Sequence, residues 1–145
     1  MSRKYFPVIA VLMTIFVAFS NGCRQETNDQ LTLHVTLQHL PAHIRTAYLD
    51  EIRIADTRLI DTAVVDPVSD QFTFRSLASE EGLYRVRMPG GPLFYLALGP
   101  GSVVVKGDYA HLDSLSFEAS PSSEALNIFL RQLNNASNKL YSASQ

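Results

Sequence analysis

From Leu31 onward, apolar and polar residues alternate one by one. Leu31, Leu33, Val35 and Leu37 are separated by Thr32, His34, Thr36 and Gln38. A period of two puts every apolar side chain on one face of an extended segment, which predicts a strand buried on one side only. Such a strand must find a second apolar face, so the chain is committed to a layered β architecture. Pro41 ends the run.

The same grammar recurs about every ten residues. Leu49, Ile52 and Ile54 mark a second, mixed segment, and Leu59 to Val65 a third with Ile60, Thr62 and Val64 on one face. Asp66-Pro67-Val68-Ser69-Asp70 is turn chemistry. Phe72 and Phe74 alternate with Thr73 and Arg75, and after Gly82 the set Tyr84, Val86 and Met88 opposes Leu83, Arg85 and Arg87. Pro89-Gly90-Gly91-Pro92 predicts a hairpin turn, and the almost wholly apolar Leu93 to Leu98 predicts a central strand buried on both faces. Gly99-Pro100-Gly101 turns the chain into Ser102 to Lys106, Gly107-Asp108 ends that segment, and a last short strand is expected near Leu115 to Phe117. Seven or eight short strands with regular turns predict an all-β fold, an antiparallel sandwich spanning 31–119.

One helix closes the chain, over 120–145. Ser120 is an N-cap residue and Pro121 fits the first helical position. Glu124 lies where the helix dipole favours negative charge. Leu126, Phe129, Leu130, Leu133, Ala136 and Leu140 then recur at steps of three and four. The expectation is that Leu126, Phe129, Leu130 and Leu133 pack on the sandwich or that the helix leads into a further module, because the pattern reaches Tyr141 without a capping signal.

The N-terminus is of another kind. Arg3 and Lys4 precede Tyr5 to Phe19, a stretch without charge, and Ser20-Asn21-Gly22 leads into Cys23. A basic start, an apolar stretch and small residues at the exit make a secretory signal. Fifteen residues at about 1.5 Å each give roughly 22 Å, short of the roughly 30 Å needed to span the hydrocarbon core. The chain therefore divides into a signal peptide at 1–22, a flexible polar tether at 23–30, the sandwich and the helix. Ser20-Asn21-Gly22-Cys23 resembles the lipobox of bacterial lipoproteins. The resemblance implies cleavage between Gly22 and Cys23, and acyl chains (a diacylglycerol on the Cys23 sulfur, a palmitate-type acyl group on its amine) that hold the protein to a membrane. Arg24 follows Cys23 where inner-membrane retention is associated with Asp, which by the same analogy favours the outer membrane.

The order of Leu59-Ile60-Asp61-Thr62-Ala63-Val64, Gln71-Phe72-Thr73-Phe74, Gly82-Leu83-Tyr84-Arg85-Val86 and Tyr95 to Asp108, with Ser120 opening a helix, resembles the N-terminal domain of unknown function found ahead of the thioredoxin-like module in lipoproteins of the TlpA/ResA type. The likeness spans about Leu31 to Leu140. It implies a non-catalytic sandwich, a spacer or protein-interaction domain of the envelope, that leads through its helix into a module with Cys-x-x-Cys. The chain holds a single cysteine, so no catalytic residue carries over and the enzyme reading is negative. The alternatives are a truncated thiol-disulfide oxidoreductase and a ligand-binding lipoprotein.

The remaining chemistry is sparse. Twelve Lys and Arg against 14 Asp and Glu give no basic footprint for nucleic acid. His34, His39, His43 and His111 lack the spacing of a metal site, and no cofactor is expected. Asp50-Glu51 and Glu80-Glu81 read as solvated loop charge, since neighbours on a strand point apart. Arg85 and Arg87, with Arg75 on a neighbouring strand, form a potential carboxylate grip against the background of an ordinary solvent face. Ser114, Ser116, Ser122 and Ser123 lack the context of an acyl-transfer nucleophile. Asp61-Thr62-Ala63 and Asp113-Ser114-Leu115 resemble an O-glycosylation signal, which makes Thr62 and Ser114 candidate modification sites.

Overall fold

A computed structural model describes residues 29–143. The strands are β1 (Gln30–Gln38), β2 (Thr46–Ile52), β3 (Thr57–Val64), β4 (Gln71–Leu77), β5 (Gly82–Arg87), β6 (Leu93–Leu98), β7 (Gly101–Asp108) and β8 (Ser116–Glu118); the helix α1 covers Pro121–Ala143. They form two four-stranded sheets, ordered β4-β1-β7-β8 and β3-β2-β5-β6. The predicted sandwich therefore forms. Its pairs are antiparallel except one: β7 runs parallel to β1, with Leu33 beside Val103 and Val35 beside Val105.

The alternation decides which side chains go inside. Leu31, Leu33, Val35, Leu37, Phe72, Phe74, Val103 and Val105 of one sheet meet Ala47, Leu49, Tyr84, Val86, Phe94, Leu96 and Leu98 of the other, all of them buried. Phe72 and Phe74 pack edge to face at 5.6 Å. The two one-sided sheets thus close around a single core.

Three expectations are corrected. The run Leu93–Leu98 is not a central strand but the edge of its sheet. Phe94, Leu96 and Leu98 point inward, whereas Leu93 is exposed and Tyr95 and Ala97 are half-buried. Its outer residues are apolar because α1 lies alongside it. In β3 the expected face of Ile60, Thr62 and Val64 is split by a bulge: Leu49 pairs with Asp61 and Asp50 with Leu59, so Ile60 is the extra residue. An inserted residue reverses the alternation beyond it. Ile60 packs against the core, but past the bulge Ala63 faces inward and Val64 is 80% exposed. Finally, α1 does not bury its whole apolar stripe. Leu126 and Leu130 are half-buried, while Phe129 and Leu133 remain 58% and 54% exposed.

The edges of the sandwich are closed by side chains. Ser123, fully buried in the first turn of α1, accepts a hydrogen bond from the Ala97 N–H at 3.0 Å and donates to the Ala97 carbonyl at 2.9 Å. It stands in for a neighbouring strand at the free edge of β6. Ser120, the predicted N-cap, lies 2.8 Å from the Ser123 hydroxyl and 3.0 Å from the Ala97 carbonyl oxygen. On the opposite side, Asp61 of β3 accepts the Arg75 N–H of β4 at 2.8 Å and its neighbour Thr62 N–H at 2.7 Å.

Candidate functional site

Two groupings of charged residues arise from this topology. The first is on the outer face of the β3-β2-β5-β6 sheet. The β2–β5 register places Asp50 opposite Arg85 and Tyr48 opposite Arg87. Arg85 donates through Nε at 3.2 Å and Nη2 at 2.7 Å, and Arg87 through Nε at 2.8 Å, all to Oδ2 of Asp50. The Arg87 guanidinium also lies 4.3 Å above the Tyr48 ring centroid, a cation–π contact. Asp50 is buried beneath these groups, which corrects its reading as solvated loop charge. Burial works to raise the Asp50 pKa, but hydrogen bonds and charge from Arg87 and Arg85 outweigh it and hold the carboxyl below its ordinary range. Arg85 and Arg87 do grip a carboxylate, and it is the chain's own; Arg75 is not with them, because β4 belongs to the other sheet.

The second grouping lines a cleft of about 940 Å³ at the end of the sandwich where β1 begins. It opens between the start of β3 and the end of β4, below the Asp61–Arg75 link. Arg58 and Leu59 come from β3, Arg75 and Leu77 from β4, Glu80 and Glu81 from the turn into β5, and Tyr84 from β5 itself. Gly82 stands directly under the Tyr84 ring: a Cβ there would lie 3.3 Å from Cε2. Burial, then the nearby Glu51, push the Tyr84 phenol above its usual pKa. Arg53 is held by Glu51 at 2.7 Å. Among the described residues, the side chains of Arg58, Arg75, Glu80 and Glu81 make no hydrogen bond or ion pair with one another or with anything else.

The other predicted positions are spread out. Thr62 is exposed on the β3 edge, and Ser114 is exposed in a short 3-10 turn, where its hydroxyl donates to the His111 carbonyl at 2.8 Å. His34 Nδ1 lies 3.0 Å from the Thr73 hydroxyl and His39 Nδ1 2.8 Å from Asp108 Oδ2. Among the described residues no three His, Cys, Asp or Glu side chains come together as a metal site, and no helix is long and apolar enough to cross a membrane. Gly22, Cys23, the predicted signal peptide and most of the predicted tether lie outside the described residues. Sequence reading missed Asp50 because its partners are 35 and 37 residues away and only the strand register joins them. It missed the cleft because Arg58 and Leu59 carried no signal apart from the strand they begin.

No family model matches the chain, and no curated protein matches it. Among solved structures, it is similar to one titled as the crystal structure of (S)-allantoin synthase, with 14% sequence identity and a TM-score of 0.38. The alignment covers 63% of this chain and 44% of that one, so the chain spans less than half of that structure's length, and a likeness at this level supports no argument about activity.

Proposed function

We propose that the chain is a lipid-anchored, non-catalytic β-sandwich module of the cell envelope, held at the outer membrane through acyl chains on Cys23 and serving as a spacer or protein-interaction domain. The observation that carries this reading is a spacing. The lone cysteine follows Ser20-Asn21-Gly22, and only Arg24 to Asp29 separate it from the first strand at Gln30. Seven residue steps reach at most about 25 Å, so an anchor at Cys23 keeps the sandwich close to the bilayer. Each buried methylene contributes about 0.8 kcal/mol and a single chain binds only marginally, so the two or three chains of the lipoprotein class account for stable attachment. Cys23→Ala should move the protein from the membrane to the soluble envelope fraction, and mass spectrometry of the parent should find acylated Cys23 as the first residue. An intact leader or an unmodified thiol would overturn the reading. Modification of Thr62 and Ser114 belongs to the same proposal, supported by the exposure of both residues; intact-mass measurement of Thr62→Ala and Ser114→Ala variants tests it.

A second reading is favoured by the apolar stripe that α1 leaves uncovered at Phe129, Leu133 and Leu140. In it the sandwich is the N-terminal part of a membrane-tethered thiol-disulfide oxidoreductase, with the helix seated against a thioredoxin-like module. An open frame encoding Cys-x-x-Cys downstream of codon 145 would support this reading; unrelated sequence there would remove it.

A further inference from the structure

The cleft at the β1 end of the sandwich collects charges of both signs that leave one another unpaired. Two further charges that line it, Arg53 and Glu51, pair with each other at 2.7 Å. Arg58 and Arg75, on edge strands of different sheets, and Glu80 and Glu81, on the turn, do not. Between them the cleft exposes apolar surface, with Leu59 at 50% and Leu77 at 75%. Its volume of about 940 Å³ lies within the usual range of small-ligand sites.

Acidic residues on the same walls count against an anionic lipid surface or a simple anion as the occupant. A guanidinium recognises a carboxylate through parallel N–H···O bonds, and a carboxylate accepts from an ammonium. We propose that this cleft binds short zwitterionic peptides: the α-carboxylate between Arg58 and Arg75, the α-ammonium at Glu80 and Glu81, and an apolar side chain on Leu59 and Leu77. This goes beyond the anchored-module reading and does not depend on lipidation.

The test is calorimetric titration of the full chain, in detergent, with Ala-Leu-Ala carrying free ends, and with its C-terminal amide and N-acetyl forms. Saturable binding of the free peptide is expected, weakened about tenfold by either block. Arg58→Ala and Arg75→Ala should each weaken it about tenfold while leaving the thermal melt in place, since neither side chain has a partner within the described residues. Cys23→Ala should bind like the parent, which separates this site from the anchor. No heat at millimolar peptide, equal affinity for the amide form, or binding indifferent to both arginine variants would overturn the proposal. The blocked peptides decide the matter even if a variant misfolds.

Discussion

Arg85 and Asp50 stand directly opposite each other on β5 and β2, and the guanidinium delivers both Nε and Nη2 to one carboxylate oxygen. With Arg87 bonded to the same oxygen, a buried carboxylate organises two cations on the outer sheet face. Asp50→Asn should lower stability at neutral pH by about 1–3 kcal/mol, below the figure for a fully buried pair because the arginine side chains are 26% and 41% exposed. The Asp50 pKa is lowered in the folded state. Its contribution is therefore complete above the unfolded value of about 3.9 and is lost as pH falls through the folded value. Denaturant midpoints of parent and variant should differ at pH 7 and converge toward pH 2; a constant gap would exclude the pair as the cause.

Ser123 offers a sharper structural test. Its hydroxyl satisfies both backbone groups of Ala97 inside the protein. Ser123→Ala leaves a buried N–H without an acceptor, which costs about 1–3 kcal/mol. Amide exchange at Ala97 should speed up well before that at Leu33 in the core. A stability change near zero would mean that the helix is not secured there.

Asp61 should matter more than an exposed strand carboxylate normally does. It ties β3 to β4 by accepting the Arg75 N–H. Asp61→Ala frees that edge group for pairing with another chain. The expected result is about 1 kcal/mol lower stability and concentration-dependent association in sedimentation. A monomer of unchanged stability would show that the edge is closed by other means.

Two backbone positions should respond with opposite signs. Gly101 sits at φ +121°, a conformation nearly reserved for glycine, and Gly101→Ala should cost about 1–3 kcal/mol. Ala119, just ahead of the helix cap, is held at φ +63°. Relief of about 1–2 kcal/mol of left-handed strain exceeds the extra unfolded-state entropy of glycine, so Ala119→Gly should stabilise by up to about 1 kcal/mol. Thermal melts of both variants decide the matter.

What could be read from the sequence was local. The alternation of Leu31 to Leu37, the Ser120-Pro121 helix start and the hairpin at Gly90-Gly91 each depend on residues a few positions apart, and each stands in the structure. What could not be read depends on register. The bulge at Ile60 is invisible until β2 and β3 are aligned, and it decides that Val64 faces water. Leu93–Leu98 looked like a central strand because a helix flank is as apolar as a second sheet face. Asp50 looked like loop charge because nothing in its own neighbourhood announces two arginines from β5. The apolar stripe of α1 was legible, but its exposure at Phe129 and Leu133 follows from where the sandwich stops.

The parallel pair of β1 with β7 sets the tempo of folding. The first strand of the described body is interior in its sheet, and its neighbour β7 comes from Gly101–Asp108, near the far end of the sandwich sequence. A chain emerging N-terminus first must keep β1 waiting, half-paired, until β7 arrives. Such high contact order belongs to the slow, millisecond-to-second regime, and a polypeptide halted before Gly101 would leave one flank of β1 open for aggregation.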